Sequence, residues 1–497
     1  MADQHPRSRF PATFWVANVM ELFERGAYYG MNSVLAVYLT GTAAERGLGF
    51  TEQAVGFLQS IVYAATYVLP IVGGALADRY GYRRVLIVAF SLLASGYFAA
   101  GYMSSYATVF LALLVMATGS GLFKPTITGT IARTTDESNS ALGFGIYYWM
   151  INLGAFLAPL VVSVLKGFSW QYVFAASAAY TGLMLLPTLF AFSEPPRPES
   201  TRSLRDVALG AVEVLADARF VLMIVVYSGF WVLYFQQFGS ILWYLRDFID
   251  RAPVSGAVTA ALASLGLPWR FEFDAEHVTV INAGTIIFLQ VLVSRIVSKT
   301  PALPTMVTGM AFGAAGFLLL ALSRSPWVFI LGIVIFSIGE MTAHPKYYSF
   351  IGLVAPADRK AVYMGYAFLY GVFGSLLGSS LGAFLYERML KPAIGTPEAT
   401  GRARLFWLLF ATLDVAAAVT LVQFARLFGP DTADTRRRAR TVMRAVYAGI
   451  LLLGAGFLYA AFSSTPIQPR IAVQASIFIA LGLGGLSVGR TKRLQGV

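Results

Sequence analysis

Apolar runs of about 20 residues recur along the whole chain, separated by short turns that hold glycine, proline or charged residues. Runs of this length cross a bilayer as helices. They predict an all-α polytopic membrane protein with fourteen transmembrane helices. The predicted spans are 14–40, 52–77, 85–104, 106–132, 141–165, 170–192, 220–245, 277–298, 304–323, 326–355, 360–388, 403–427, 440–462 and 470–489.

The clearest polar break, the Pro-rich stretch at 193–206, follows the sixth span. With a cytoplasmic N-terminus, about 23 Lys and Arg residues of the connections fall inside and about 11 outside, as the positive-inside rule requires. The even helix count then places both termini in the cytoplasm. The one long outer loop, 246–276, is either a short amphipathic lid or a connector.

Composition removes several classes of function. The chain is 57% hydrophobic and 12% charged, and it has no cysteine and three scattered histidines, which excludes thiolate sites and disfavours a metal site. The net charge of +12 is explained by orientation signals between spans, so nucleic acid is not an expected partner. Some of these basic residues, such as Arg436, could also contact anionic lipid.

Charged residues inside the first span are the strongest functional signal. Glu21, Glu24, Arg25 and Tyr28 recur at i, i+3, i+4 and i+7, so a helix gathers them on one face. Each charge near the bilayer centre costs roughly 2.5 to 3.5 kcal/mol on insertion scales. The cluster therefore indicates a proton or substrate pathway.

The turn after the second span, Gly74-Ala-Leu-Ala-Asp78-Arg79-Tyr-Gly-Tyr-Arg83-Arg84, resembles the cytoplasmic loop signature of the major facilitator superfamily. An ordinary charged turn is the alternative. The resemblance implies a major facilitator fold that exposes a central cavity alternately to each side, with Asp78, Arg79 and Arg83 in gating. It implies a six-helix lobe at 1–192, a linker at 193–219, a second six-helix lobe at 220–428, and a basic linker with an extra helical hairpin at 429–497.

Within that superfamily, the first-span signature from Glu21 to Gly30 resembles that of the proton-coupled oligopeptide transporters. Further matches follow in family order: Phe123-Lys124-Pro125, Tyr147-Tyr148-Trp149-Met150-Ile151-Asn152-Leu153-Gly154, Phe230-Trp231, Gln237-Phe238-Gly239-Ser240, Asn282, Gly339-Glu340 and Pro345. The resemblance covers residues 14 to about 428.

The resemblance implies that the proton-coupling residues are Glu21, Glu24, Arg25, Lys124 and Glu340. Charge accounting supports one part of this, because an unpaired Lys124 in the membrane is costly and a carboxylate opposite it would satisfy both. Protonation of that carboxylate would release the lysine. A static ion pair that holds two helices together is the alternative.

The implied substrate-binding residues line the cavity by family position, and some depart from the family pattern. They are Tyr28, Asn32, Tyr67, Asn152, Trp231, Asn282, Glu340, His344 and Lys346. Asn32 stands where peptide transporters carry an arginine for the substrate carboxylate, and Ala283 replaces a usual proline. His344 either titrates together with Glu340 or is a hydrogen-bonded structural residue. Lys346 either snorkels to the cytoplasmic surface or places a positive charge in the lower cavity.

The resemblance therefore implies a proton-coupled symporter, not an enzyme, that imports di-/tripeptides or peptide-like small solutes across a bacterial inner membrane. Protons are the coupling ion and no cofactor is expected. A proton-coupled carrier of a non-peptide solute is the near alternative, and a non-transporting scaffold or sensor is a more distant one. Small residues in the C-terminal hairpin fit a buttress or an oligomer contact, and the oligomeric state stays open.

Overall fold

The protein is described by a computed structural model over residues 10–136, 139–195, 204–356, 359–463 and 469–488. Within these ranges all regular elements are helical, which confirms the predicted all-α class. Helices α1 to α7 span Ala12–Thr40, Glu52–Tyr80, Tyr82–Tyr102, Tyr106–Arg133, Ser140–Phe168, Trp170–Leu183 and Leu185–Phe190. Helix α8, Leu204–Ala216, lies in the predicted linker, so part of that linker is helical.

The second half begins with α9. Helices α9 to α17 span Ala218–Tyr234, Ser240–Phe248, Ala252–Ser264, Glu276–Val297, Ala302–Leu322, Pro326–Val354, Lys360–Tyr366, Leu369–Leu385 and Ala399–Phe428. Helices α18 and α19, Ala433–Ser463 and Pro469–Val488, form the C-terminal hairpin. Short 3₁₀ segments cover Ala43–Glu45, Phe235–Phe238 and Lys391–Ala393, and a π-helical turn covers Tyr386–Leu390.

Thirteen helical stretches of the described chain are long and apolar enough to cross a membrane. Helix α1 is also long, with 29 residues, but it carries three charged residues, Glu21, Glu24 and Arg25. These side chains are buried inside the protein rather than turned to the surroundings. With α1 included, the number of spans is the predicted fourteen.

Several predicted boundaries were wrong. The seventh span, expected at 220–245, is interrupted near Gly239, where a 3₁₀ turn separates α9 from α10. The thirteenth helix begins at Ala433 rather than 440, because the arginine-rich segment continues the helix and Arg438 pairs with Asp434 one turn before it. The long loop 246–276 contains helix α11, so it is more than a simple connector.

Helix packing places the candidate site between two groups of helices. In the first half, α1 packs against α5 and α6, and α4 packs against α2 and α3. In the second half, α13 packs against α14 and α17, while α9 packs against α16 and α17. The halves meet along α2 with α16 and along α5 with α12. The exact lobe boundaries stay a prediction.

The bundle has two ends, named here by one residue each. The Asp78 end holds the start of α1 and the turn between α2 and α3, and the Asp274 end holds the turns after α1, α3 and α5 and the segment before α12. Helices in the C-terminal hairpin pack closely through glycines: a side chain at Gly482 would strike Leu451, and one at Gly485 would strike Tyr447. These two glycines serve contact inside the hairpin.

Candidate functional site

The charged face of α1 forms a buried ion-pair cluster. The Arg25 guanidinium donates to both carboxylate oxygens of Glu24, with Nε to Oε2 at 2.6 Å and Nη2 to Oε1 at 2.7 Å. Glu21 lies farther away, with 3.7 Å between its Oε1 and Arg25 Nε. From α4, Ser120 donates its hydroxyl to Glu24 Oε1 at 3.3 Å. Ser120 was not predictable from the sequence, because a serine in an apolar helix carries no signal of its own.

Lys124 does not make the expected ion pair. No carboxylate of the described residues lies within 4 Å of its ammonium, which instead sits 5.5 Å from the centre of the Tyr67 ring. Arg25 outcompetes it because a planar guanidinium binds a carboxylate through two parallel hydrogen bonds. Lys124 remains close enough to the cluster for its charge to act on Glu21 and Glu24.

Across the interface, Glu340 is held by an amide rather than by a cation. Asn282 of α12 donates from Nδ2 to Glu340 Oε2 at 3.1 Å and to Ser337 Oγ at 2.9 Å. The structure thus brings together Asn282 and Glu340, both predicted to face the cavity. The glutamate keeps its other oxygen for a further partner.

His344 lies one turn after Glu340 but bonds elsewhere. Its Nδ1 is 3.2 Å from the hydroxyl of Tyr227 in α9, and no hydrogen bond to Glu340 is formed among the described residues. Aromatic rings surround it, with the Trp231 ring at 5.0 Å and the Tyr348 ring at 5.1 Å. The structure therefore favours the structural interpretation of His344 over a His–Glu couple.

Asn32 is occupied by a hydrogen-bonded chain that crosses the interface. The Tyr63 hydroxyl donates to Asn32 Oδ1 at 2.5 Å, and Gln59 Nε2 donates both to Tyr63 at 3.0 Å and to the Phe238 carbonyl at 2.8 Å. Asn32 is fully buried, and its Nδ2 has no partner among the residues that the structure describes. In this conformation Asn32 links the two halves instead of facing a cavity.

Two further expected contacts also differ. Lys346 is buried, and its ammonium donates to the carbonyls of Thr300 at 2.7 Å and Ser298 at 3.3 Å, beyond the end of α12. It neither reaches a cavity nor snorkels to the surface, because unpaired carbonyls at a helix end attract a cation. Asn152 donates to the Tyr148 carbonyl of its own helix at 2.9 Å.

The remaining aromatic candidates gather at the interface. The Arg25 guanidinium lies 4.9 Å from the Tyr28 ring centre, and the Tyr67 ring lies 6.5 Å from that of Trp231. Tyr67 and Trp231 come from different halves. Trp231 also lies against the ring of His344 in α14, the helix that carries Glu340.

The motif at the Asp78 end forms contacts inside the first half. Asp78 pairs with Arg133 at the end of α4 at 2.8 Å, a partner that the sequence did not reveal. Arg83 donates to the carbonyls of Thr188 and Leu189, and the Arg79 guanidinium lies 5.4 Å from the Tyr80 ring. Glu194 of the predicted linker accepts from the backbone amides of Tyr82 and Arg83 and so caps α3.

At the Asp274 end, charges join the two halves. Lys166 of α5 contacts Asp274 and lies 2.8 Å from Glu276 Oε2, and Arg251 also contacts Asp274. Burial alone would raise the pKa of Asp274, but the charges of Lys166 and Arg251 hold that pKa below its ordinary value. We call this group the Lys166 clamp.

A second set of charged contacts joins the two halves at the same end. Lys391 lies 2.6 Å from Glu52 Oε2 of α2, and Glu387 accepts from the backbone amide of Gln53 at 3.0 Å. We call this pair of contacts the Lys391 clamp. Neither clamp was predictable from the sequence, because each lysine is more than 100 residues away from the carboxylates that it contacts.

Metal binding has no support from the described residues, which contain no group of three or more His, Asp or Glu side chains able to hold an ion. The arrangement instead offers carboxylates, a lysine and phenols around a buried interface. Such groups can bind and release protons and contact a charged solute.

The family model described as Major Facilitator Superfamily matches residues 22–379. The chain is 31% identical over 223 residues to the uncharacterized transporter YclF of Bacillus subtilis, covering 42% of this chain and 44% of YclF. It is 27% identical over 290 residues to the di-/tripeptide transporter of Lactococcus lactis subsp. lactis, covering 55% of this chain and 56% of that transporter. The chain thus spans about half the length of these relatives.

Solved structures give the same fold. A POT family transporter in complex with 5-aminolevulinic acid matches with a TM-score of 0.68 and 21% identity, covering 84% of this chain and 96% of that one. A peptide transporter POT in complex with sulfate matches with a TM-score of 0.70 and 20% identity, covering 85% and 96%. These matches confirm the fold that the motifs indicated.

Proposed function

Because the chain belongs to the Major Facilitator Superfamily, we propose that it is a proton-coupled symporter that moves di-/tripeptides or peptide-like small solutes by alternating access. The observation that carries this proposal is the buried Glu24–Arg25 pair with Glu21 beside it, inside a helix otherwise suited to the membrane. Static packing alone gives little reason to bury three charges in one turn. The named relatives and structural neighbours support a solute carrier rather than an enzyme.

In this proposal, proton coupling arises because Glu21 and Glu24 compete for the positive charges of Arg25 and Lys124. Arg25 holds Glu24 tightly and Glu21 loosely, so Glu21 is the more readily protonated of these two carboxylates. Protonation of Glu21 removes one negative charge from the cluster and changes what Arg25 and Lys124 can bind. One charge that crosses a 100 mV potential supplies about 2.3 kcal/mol to drive accumulation.

Substrate recognition needs one anion and one cation at the interface. Glu340 has a free oxygen that suits a substrate amine, and Lys124 has no ion pair among the described residues and suits a substrate carboxylate. Asn32 cannot supply a second positive charge. We therefore propose that Lys124 alone binds the carboxylate, while aromatic rings such as Trp231 accept varied side chains.

We also propose which way the protein is oriented in the membrane and which end is closed in the resting conformation. With both termini in the cytoplasm of a bacterial cell, the Asp274 end faces outward across the inner membrane. Its Lys166 and Lys391 clamps then close the outer face. The conformation is one that faces inward or is occluded.

Uptake into proteoliposomes of the purified full chain tests the proposal. An imposed inward proton gradient and an inside-negative potential should drive accumulation of labelled dialanine, and an uncoupler should abolish it. A Glu21→Gln variant serves as a folded, coupling-deficient control. Dialanine uptake that is equal with and without the gradient would overturn proton coupling.

A carrier of a non-peptide solute is the second candidate, and one observation favours it: Asn32 is sequestered where an arginine would be available for a carboxylate. The same vesicles distinguish the two. If folded wild-type protein accumulates neither dialanine nor any member of a mixed peptide library, but a pH gradient still drives proton entry with other small solutes, the non-peptide candidate stands.

A further inference from the structure

A carboxyl group on α17, in the other half of the chain from the cluster on α1, lies buried without a partner in the described structure. Asp414 is 0% exposed, and neither of its side-chain oxygens has a hydrogen-bond partner among the described residues. It lies in a stretch, Ala399–Phe428, that is long and apolar enough to span the membrane. A carboxyl that no donor or cation meets there is expected to be un-ionised.

The fold makes room for this group at one glycine. A side chain built on Gly313 of α13 would overlap Asp414 Oδ2, and its next neighbour would be the Phe230 ring of α9. Glycine at 313 therefore lets the carboxyl fit between α13 and α17. The site is shaped for Asp414, although nothing in it neutralises a negative charge.

The elements around Asp414 bring no ionisable group to it. Helix α13 has no charged residue or histidine from Ala302 to Leu322. On α9 the nearest ionisable side chain along the helix, Tyr227, is directed to His344. The charged residues of α17 itself are at least ten positions away, or about 15 Å along the helix axis. They are Arg402, Arg404 and Arg426.

We propose that Asp414 is a proton-binding site of the second half of the chain, separate from the Glu21 cluster and from Glu340. The carboxyl keeps its proton at neutral pH. The site binds a proton and not a metal cation, because the described residues place no group of three or more acidic or histidine side chains there to hold one. This inference goes beyond the proposed transport and needs no assumption about the solute.

Infrared spectroscopy of the full chain with ¹³C-labelled aspartate carboxyls tests the site without measuring transport. At neutral pH the wild-type protein should show the carbonyl band of an un-ionised aspartic acid, and Asp414→Asn should remove that band completely. Asp431→Asn is the matched control, because Asp431 is paired with Arg436 at 2.8 Å outside the membrane and should contribute no such band. A wild-type protein without the band, or a band that survives in Asp414→Asn, would overturn the proposal.

Carbodiimide labelling of the wild-type protein keeps the test independent of whether the variant folds. A hydrophobic carbodiimide adds to protonated carboxyls in apolar surroundings, so peptide mapping by mass spectrometry should find the adduct on Asp414 at neutral pH. Asp431 should stay unmodified. Modification of Asp431 with Asp414 untouched would contradict the assignment.

Discussion

The ammonium of Lys346 donates to the carbonyl of Thr300 at 2.7 Å, and this contact changes the role of a lysine that the sequence placed near the substrate. A second bond to the Ser298 carbonyl holds the same ammonium at the turn between α12 and α13. The lysine thus satisfies backbone oxygens that follow the last turn of a helix, where negative partial charge accumulates.

Replacement of this lysine should affect stability rather than recognition. Lys346→Met keeps the length of the side chain but removes both hydrogen bonds, and hydrogen bonds to charged groups contribute about 1.5 to 3 kcal/mol. We expect a lower unfolding temperature in detergent and an unchanged KM for uptake. An increased KM at unchanged stability would return Lys346 to the binding site.

Neutral substitutions in the α1 cluster should separate coupling from translocation. We expect Glu21→Gln and Glu24→Gln each to abolish proton-driven accumulation while counterflow exchange continues, because the solute path stays intact without a proton acceptor. Glu272→Gln, at an exposed loop position, should accumulate like the wild type. The coupling assignment fails if both cluster variants reach full accumulation.

Lys124 should matter far more than an exposed cation. Lys124→Ala removes the free ammonium at the interface, so uptake should fall at least tenfold, which corresponds to about 1.4 kcal/mol. Arg436→Ala removes a surface ion pair with Asp431, and such pairs contribute about 0 to 1 kcal/mol. Initial uptake rates of the two variants give the comparison, and equal losses would contradict the role of Lys124.

The class of fold could be predicted because the length of the apolar runs and the spacing of the charged residues are local properties of the sequence. The cluster on α1 was found for the same reason, since a helix brings Glu21, Glu24 and Arg25 to one face whatever surrounds it. The lack of an ion pair at Lys124 among the described residues was not predictable, because Arg25 and Lys124 compete for one carboxylate and only the packed structure decides which of them binds it. Asp414 was overlooked because it has no motif, although a carboxyl inside an apolar span is itself a signal.

The two clamps should hold the Asp274 end closed. Lys166→Met removes the lysine from buried Glu276, and Lys391→Met removes it from buried Glu52. Each loss should shift the equilibrium towards an open end by about 1 to 2 kcal/mol, a 5- to 30-fold change. The chain has no cysteine, so spin labels can be placed at Ser104→Cys and Thr396→Cys, exposed positions of opposite halves at this end. Double electron–electron resonance should show longer distances in both variants.

Arg402→Met provides the matched control for the clamp variants. It removes an exposed cation at the same end, but its partner Glu398 belongs to the same half of the chain. The label distances should therefore match those of the wild type. Longer distances in the control as well would mean that general loss of positive charge, and not the clamps, opens this end.

The pH dependence of the same label distances tests the Lys166 clamp through its carboxylate, Asp274. The pKa of Asp274 is below its ordinary value when this end is closed. Its ion pairs therefore stabilise the closed end fully above about pH 3.9, the pKa of a free aspartate. This stabilisation is lost as the pH falls through the lower pKa of the closed state. The distance distribution should therefore stay constant from about pH 8 to about pH 5 and lengthen only in stronger acid. A change between pH 8 and pH 5 would instead assign control of this end to a neighbouring group such as His277, which lies 3.6 Å from Glu276.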